Sequence, residues 1–272
     1  MLRGLLVLLT AKILVTFSTV LLLSWIASRS GPKLAGLMSG FPLGSAISLY
    51  FIGMEQGADF AAIASIHSLG GLTSSLCLAG AYWWTMTRFP SVKYLPLVLV
   101  VSLGAFIVSA WVLQFLPSER EVNLAAVVAA IILFRLWFKQ IPAASIVKPR
   151  QGLWLKPWFT LLFRAAVATA AVLLVTGLAS LLSPTQAGLL AAFPISFFPL
   201  MLILHISFGA PMLASTIRHY PDGMGALVIY VLTIGYTYST VGMALGTAIG
   251  LLCSILYLAT YALFSRHLQR KG

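Results

Sequence analysis

The stretch LAGLMSGFP at residues 34–42 has a second copy, QAGLLAAFP, at residues 186–194. The copies stand 152 residues apart, and the same offset pairs Gly57 with Gly209 and His67 with His219. Biased composition repeats leucine and alanine by accident, but it does not place proline, glycine and histidine in one common register. The sequence therefore predicts an internal duplication.

The composition around these copies is that of an integral membrane protein. Of 272 residues, 60% are hydrophobic and only 8% are charged, and the mean hydropathy is +1.02. A soluble domain carries about 25% charged residues, so this chain cannot cover a water-facing surface. Little sequence is left outside the apolar runs, which excludes a nucleotide-driven pump with its own motor domain. The sequence predicts one compact, all-α, polytopic membrane domain.

A spanning helix takes about 20 residues, and the apolar runs with their breakers predict nine spans. The spans cover residues 2–27, 32–55, 57–87, 94–116, 121–138, 157–182, 184–208, 211–237 and 240–265. Five spans form a first repeat at 1–139, a basic cytoplasmic linker follows at 140–156, and four spans form a second repeat at 157–272. An odd number of spans precedes the second copy, so the copies enter the membrane from opposite sides. Inverted repeats with Pro-interrupted helices are typical of secondary transporters.

The net charge of +12, from 17 Lys and Arg against 5 Asp and Glu, indicates topology. Most basic residues stand at span ends, and their clusters share the cytoplasmic side when the N-terminus is outside and the C-terminus inside. This distribution favours contact with anionic membrane lipids and not with nucleic acid. We therefore expect a multi-pass protein of a cell inner membrane.

The first copy also carries the motif G-x-E-x-G at residues 53–57. Together with L-A-G-L-x-x-x-F-P at 34–42, it resembles the small, four-span GlpM-type family of bacterial membrane proteins. Members of that family are about one repeat long, so the chain resembles two of them fused, the first with an extra fifth span. The second copy departs from the motif, with HISFG at residues 205–209. The resemblance implies a bacterial inner-membrane protein and brings no established activity with it.

Two basic residues lie inside predicted spans and share the repeat register. Lys12 lies roughly 15 Å deep in span one at 1.5 Å per residue, and Arg164 lies inside span six. A central Lys or Arg costs about 3 kcal/mol on insertion scales and usually faces a cavity or a counter-charge. We expect the pair to line a site for an anion. The alternative is that each reaches the interface or caps carbonyls of a broken helix.

Pro42 and Pro194 fall well inside spans two and seven, beside Gly44, Ser45 and Ser196. Proline removes a backbone donor and clashes with the preceding turn, so each helix is expected to kink or to unwind. An unwound helix presents free N–H groups at the start of the next half-helix, and such groups favour an anion. These five residues and the two cations form the predicted substrate site.

Four side chains are candidates to carry coupled protons: His67, His219, Asp222 and Glu55. The histidines hold the same repeat position, and imidazole is the side chain that titrates near neutral pH. A hydrogen-bonded packing role is the alternative for both. The polar run around His219 predicts a helix interruption, with Arg218 and Asp222 spaced for an i,i+4 ion pair.

Gly242, Gly246 and Gly250 form a stripe along span nine that allows a close helix contact. The contact lies either within the bundle or at a homodimer seam. Sequence motifs of hydrolases, phosphate loops and metal-ligand spacings are absent, so we expect no enzyme, catalytic residue, cofactor or metal.

The sequence thus predicts a secondary transporter that moves a small anionic or zwitterionic solute by alternating access, with proton coupling as an option. A flippase for an anionic lipid or a polyisoprenyl-phosphate carrier is one alternative, because the same cations would then be reached sideways from the bilayer. A non-catalytic membrane assembly partner is another. The expected partners are membrane lipids and the small solute.

Overall fold

The computed structural model describes residues 2–28, 41–141 and 156–271, and every regular element in these ranges is helical. The α-helices in chain order are α1 (Leu2–Ser28), α2 (Leu43–Gln56), α3 (Ala58–Arg88), α4 (Leu95–Leu113), α5 (Arg120–Phe138), α6 (Pro157–Ala179), α7 (Pro184–Ala191), α8 (Phe197–Phe208), α9 (Ala210–Arg218), α10 (Tyr220–Val241) and α11 (Met243–Lys271). A 3₁₀-helix at Val92–Tyr94 leads into α4. This architecture agrees with the predicted all-α membrane protein.

Six helices in the described ranges are long and apolar enough to cross a membrane: α3, α4 with its leading 3₁₀ turn, α5, α6, α10 and the part of α11 up to Leu263. Shorter apolar stretches lie in α1 and α8, at Leu6–Leu22 and Phe197–Phe208. The chain is therefore a multi-pass membrane protein.

Two predicted spans, 184–208 and 211–237, are each divided into two helices. Pro194 lies between α7 and α8, and Pro221 lies in the first turn of α10. Proline is tolerated in the first turn of a helix but not in its interior, which accounts for both divisions. Most of the predicted linker at 140–156 and the first part of the predicted span at 32–55 lie outside the described residues.

The central element of the bundle is α3, which is 31 residues long and packs against α4, α5, α7 and α10. Its many Gly, Ala and Ser residues let neighbouring backbones approach closely, as is common in membranes. The approach to α7 shows this most clearly. A Cβ added at Gly71 would lie 2.8 Å from the Leu189 carbonyl oxygen, and one added at Gly188 would overlap the carbonyl oxygen of Ala64.

A second packed group is formed by α1, α2 and α6. Val20 of α1, Phe51 of α2 and Ala168 of α6 belong to one buried cluster. Ile195, from the segment between α7 and α8, joins the same cluster. The interruption in the second copy is thereby packed against helices of the first.

The outward faces of α4, α5 and α11 are apolar. Val100, Trp111, Leu133 and Leu256 are all more than 60% exposed. Contiguous apolar surface of this kind is unfavourable in water, so we expect these faces to contact lipid acyl chains.

Glycines of the predicted stripe pack within the chain. A Cβ at Gly246 would lie 2.6 Å from Oγ1 of Thr237, and one at Gly250 would lie 2.9 Å from Cδ2 of Tyr230. Both partners belong to α10. Gly242, with φ of +86°, forms the turn between α10 and α11. Of the two alternatives for this stripe, the structure supports the contact within the bundle.

Replacing Gly188 with alanine is expected to destabilise the protein by about 1–3 kcal/mol, the usual cost of overpacking a tight contact. The matched control is Gly177→Ala on α6, where an added Cβ meets no described atom within 4 Å and alanine is the better helix former. Thermal unfolding of the purified variants in detergent measures both effects. Equal stability of the Gly188→Ala variant and the wild-type protein would contradict the close packing of α3 against α7.

Candidate functional site

Both Pro-containing motifs have the same backbone geometry. The same two hydrogen bonds occur at the 152-residue offset: Leu43 N–H to the Phe41 carbonyl (2.8 Å) and Ala46 N–H to the Pro42 carbonyl (2.8 Å), then Ile195 N–H to the Phe193 carbonyl (2.7 Å) and Phe198 N–H to the Pro194 carbonyl (2.7 Å). In the second copy α7 ends at Ala191 and α8 begins at Phe197, so Pro194 lies in a complete break. In the first copy Pro42 directly precedes α2.

The C-terminal ends of α2 and α8 also have the same backbone geometry. Gly57 follows α2 with φ of +99°, and Gly209 follows α8 with φ of +75°. The Gly57 N–H donates to the Gly53 carbonyl at 2.9 Å, and the Gly209 N–H donates to the His205 carbonyl at 3.0 Å. Side chains with a Cβ rarely adopt such φ values, which explains why glycine stands at both turns.

The two Pro-containing motifs meet at one small cavity. Gly44 packs so closely against Ile195 that an added Cβ would lie 2.8 Å from the Ile195 Cβ. The cavity beside this contact has a volume of about 20 Å³, which holds a water molecule but no organic solute in this conformation. Its lining includes Phe41, Gly44 and Ser45 from the first copy, Pro194 and Ser196 from the second, and Tyr220 of α10.

The cavity thus brings together most of the predicted substrate site. The first turns of α2 and α8 both face it, through Ser45 in the one and Phe197 in the other. Helix N-termini carry partial positive charge and N–H groups that an α-helix does not use. The arrangement therefore suits an electron-rich group that binds between two helix N-termini.

Serines on neighbouring helices bond carbonyls at the end of α7. The carbonyls of Ala191 and Ala192 accept no described backbone N–H, whereas the Gly188 carbonyl also accepts from the Ala192 N–H at 3.3 Å. Ser68 of α3 donates to the Gly188 carbonyl at 2.7 Å, and Ser45 of α2 donates to the Ala191 carbonyl at 3.3 Å. Ser75 of α3 donates to the Ala192 carbonyl. A carbonyl without a partner costs several kcal/mol in apolar surroundings. These hydroxyls make the interrupted helix tolerable inside a membrane.

Lys12, which is part of the predicted substrate site, does not line this cavity. Its Nζ lies 2.7 Å from Oε1 of Glu55 and 2.8 Å from Oγ1 of Thr176. The Lys12 side chain is 6% exposed and that of Glu55 is 22% exposed. A charge in a membrane interior requires a counter-charge, and Glu55 supplies it from the last turn of α2. The Lys12 charge is therefore not free to bind an anion in this conformation.

Arg164, the equivalent residue in the second copy, also lies away from the cavity lining. It precedes Ala165 of the buried α1–α2–α6 cluster. Its Nε is buried and has no hydrogen-bond partner in the part of the chain that the structure describes. The two copies therefore differ, because only the cation of the first copy is paired with a described carboxylate.

The two equivalent histidines have different surroundings. His67 is buried between α3 and α7, with Nε2 at 3.1 Å from Oγ1 of Thr185. His219 lies in the break between α9 and α10, where its side chain is 40% exposed and its Nδ1 lies 3.3 Å from Oδ2 of Asp222. The predicted helix interruption at this position is present in the structure.

Besides its contact with His219, Asp222 joins α10 to α5. Nε of Arg135 lies 3.0 Å from Oδ1 of Asp222, an ion pair without the alignment of a hydrogen bond. The predicted Arg218–Asp222 pair is wrong, since Nη1 of Arg218 donates to the Ile141 carbonyl at 3.2 Å. Side chains at i and i+4 meet only on a continuous helix, and the break between α9 and α10 separates these two.

Sequence reasoning missed two buried contacts near the half-helices. The Tyr82 hydroxyl lies 3.0 Å from Nδ1 of His205, and the Tyr220 ring stacks on Phe197 with ring centroids 3.9 Å apart. His205 stands where the first copy has Gly53. A histidine in an apolar run, at a position where the first copy has glycine, is the sequence feature that could have predicted the contact with Tyr82.

Comparison with protein-family models, curated proteins and solved structures finds no match to this chain. The resemblance to the GlpM-type family therefore stays a prediction. In the described ranges, no three His, Cys, Asp or Glu side chains come together as metal ligands would. The geometry of the two Pro-containing motifs is thus the basis on which a function is proposed.

Replacing Ser75 with alanine is expected to destabilise the protein by about 1 kcal/mol, as is typical of a hydrogen bond between membrane helices. The loss arises because the Ala192 carbonyl is left without the Ser75 hydroxyl. Ser102→Ala is the control, since the buried Ser102 hydroxyl bonds only the Leu99 carbonyl of its own helix in the described part. Thermal unfolding compares the two, and equal effects would contradict the role assigned to Ser75.

Proposed function

We propose that the protein is a secondary transporter that moves a small anionic or zwitterionic solute by alternating access. The observation that carries the proposal is the meeting of two equivalent half-helix N-termini, those of α2 and α8, at one central cavity. Discontinuous helices whose N-termini face an anionic group near the bilayer midplane are a recurring device of such transporters.

The packing of equivalent helices supports an inverted relation between the copies. α1 and α6 are equivalent, and Lys12 in the first half of α1 contacts Thr176 near the end of α6. α3 and α10 are also equivalent in part. Ser65 near the start of α3 faces Gly235 near the end of α10, where an added Cβ would lie 2.9 Å from the Ser65 hydroxyl. Equivalent helices that pack antiparallel are expected when one copy is inverted.

Contacts between the ends of helices support the topology expected for nine membrane spans. On the predicted outer side, Gln186 donates to Gln114 at 3.3 Å, and Arg120 lies 3.7 Å from the ring centroid of Tyr236. On the predicted cytoplasmic side, Tyr82 meets His205 and Arg135 meets Asp222. Each pair joins ends that the proposed topology places on one side. The basic span ends favour a cytoplasmic C-terminus in a bacterial inner membrane.

The chemistry of the cavity favours an anion. The two helix N-termini supply positive potential, and the buried Ser196 hydroxyl, which has no hydrogen-bond partner in the described ranges, supplies a donor. The cavity of about 20 Å³ is too small for a solute, so the described conformation is closed on both sides. Two copies that exchange conformations would open it first to one side and then to the other.

Alternating access predicts that the cavity is reached from both sides of the membrane. Ser45→Cys and Ser196→Cys, each in a background with Cys77→Ala and Cys253→Ala, are treated with a membrane-impermeant thiol reagent in right-side-out and inside-out vesicles. Each cysteine is expected to react in both preparations, because the cavity opens in turn to each side. Ala187→Cys, buried between α3 and α7, is the unreactive control. Reaction from one side only would contradict the proposal.

The same variants test the preference for anions. Two helix N-termini of about 0.3–1 kcal/mol each should make an anionic thiol reagent react roughly 3- to 30-fold faster than a cationic reagent of equal size. Ser180→Cys, exposed at the end of α6, corrects for the intrinsic reactivity of the two reagents. A faster cationic reagent would exclude an anionic substrate.

A further inference from the structure

The two copies differ in charge at one equivalent position. Glu55 stands in the last turn of α2, and Ser207 stands at the matching position of α8. Lys12 is paired with Glu55 at 2.7 Å, whereas Arg164 meets no carboxylate in the described ranges. If the copies exchange conformations, α1 and α2 must adopt the relative position that α6 and α8 have in the present structure. Because Nε of Arg164 makes no hydrogen bond with Ser207 or any other described group, the exchange would separate Lys12 from Glu55 in the opposite state.

Breaking this pair with both charges present leaves the buried Lys12 ammonium without its counter-ion, which is strongly unfavourable. A proton on the Glu55 carboxylate removes one of the charges. Lys12 then keeps its hydrogen bond to the Thr176 hydroxyl, which lies 2.8 Å away. Protonation of Glu55 therefore lowers the free energy of the state in which the pair is separated.

The geometry favours a proton over a metal cation as the coupling ion. Oε1 of Glu55 and Oγ1 of Thr176 are the oxygen atoms that a monovalent cation would bind, and the Lys12 ammonium group already contacts both. A second cation beside Lys12 would be repelled at short range. A proton needs no coordination sphere and adds directly to the carboxylate.

No second charge competes closely with Lys12 for Glu55. In the described ranges, Lys12 is the charged group that lies within ion-pair distance of Glu55. The helices packed around α2 carry further titratable or charged groups, among them Asp59, His67, Cys77, Tyr82 and Arg88 on α3, Arg164 on α6, and Tyr220, Asp222, Tyr230, Tyr236 and Tyr238 on α10. Asp59 is exposed. Arg164 stands roughly 18 Å along α6 from Thr176 at 1.5 Å per residue. Tyrosine phenols are uncharged at neutral pH.

Two buried hydroxyls lie on the same two helices as the pair. Thr16 lies one helical turn after Lys12 on α1, and Ser48 lies two turns before Glu55 on α2. Both residues are 0% exposed, and neither hydroxyl has a hydrogen-bond partner in the part of the chain that is described. A hydroxyl both donates and accepts a hydrogen bond, so both are polar groups that a proton on its way to Glu55 would use.

We infer that Glu55 carries the coupling proton and that Lys12 is its exchangeable counter-ion, an inference that rests on the proposed transport function. A proton from one side of the membrane adds to the Glu55 carboxylate and gives the neutral acid, and the Lys12–Glu55 ion pair separates. After the conformational change, the acid releases that proton to the other side. The carboxylate then pairs with Lys12 again, so one proton crosses per cycle.

The histidines are less suited to this role. His67 contacts the neutral Thr185 hydroxyl and meets no carboxylate in the described ranges. His219 contacts Asp222, whose charge already pairs with Arg135 of the unduplicated helix α5. Neither contact joins the helices α1 and α2, which must move apart in the exchange.

The test uses the two-sided labelling of Ser45→Cys and Ser196→Cys at about pH 5.5 and about pH 7.5, where one linked proton shifts a two-state equilibrium by up to tenfold per pH unit. The readout is the ratio of modification rates from the two sides, because the thiolate fraction that governs reactivity cancels in that ratio. In protein that contains Glu55, we expect the ratio of the two modification rates to change at least severalfold between the two pH values. The Glu55→Gln variant mimics the protonated acid, so we expect it to show the ratio typical of low pH at both pH values.

Three further variants keep the test interpretable. Glu55→Asp should restore the pH dependence, and His67→Ala and His219→Ala should retain it. Because Glu55→Gln leaves Lys12 unpaired, the charge-neutral Lys12→Met, Glu55→Gln double variant is measured beside it and should also be insensitive to pH.

A ratio that ignores pH in protein with Glu55, or that still follows pH in both variants without Glu55, would overturn the assignment. With either of these results, labelling of the cysteines from both sides would still agree with the proposed transport function. Labelling from one side only would contradict that function itself.

Discussion

The structure depends on hydrogen bonds to the carbonyls that are left free where α7 ends before Pro194. Inside a membrane such groups find no water, so protein side chains must bond them. Ser75 of α3 and Ser45 of α2 do so, and Ser68 of α3 adds a second hydrogen bond to the Gly188 carbonyl. Their reach requires α3 to lie directly against α7, and the glycines at that contact allow it. The central position of α3 and the meeting of the two half-helices both follow from this requirement.

The duplicated backbone and the unequal charges have separate consequences. Equivalent turns at both proline motifs and at Gly57 and Gly209 give the copies the same local shape, which suits an exchange of conformations. The Lys12–Glu55 pair occurs in the first copy alone among the described residues, so the two states of such an exchange differ in electrostatic energy. A chain with identical copies would lack that difference. In the proposed transport cycle, this asymmetry would let a proton bias the equilibrium between the states.

The sequence predicts where helices are interrupted better than it predicts which side chains contact each other. Proline chemistry predicted either a kink or a break at Pro194, because the effect of proline on a helix is local, and the structure shows a break. The Lys12–Glu55 pair was missed because the residues are 43 positions apart, and an apolar pattern gives depth but not which helices are neighbours. The predicted Arg218–Asp222 pair assumed a continuous helix. The structure supports six long spanning helices in its described ranges, while the count of nine remains a prediction.

The inverted relation of the copies is the central claim, and the side of the membrane reached by equivalent positions tests it most directly. Asp59 and Pro211 are equivalent, follow the Gly57 and Gly209 turns, and are both exposed. Asp59→Cys and Pro211→Cys, in the background without Cys77 and Cys253, are labelled with an impermeant thiol reagent in vesicles of each orientation. The account predicts labelling of Asp59→Cys from the outside and of Pro211→Cys from the cytoplasmic side. Labelling of both from the same side would contradict it.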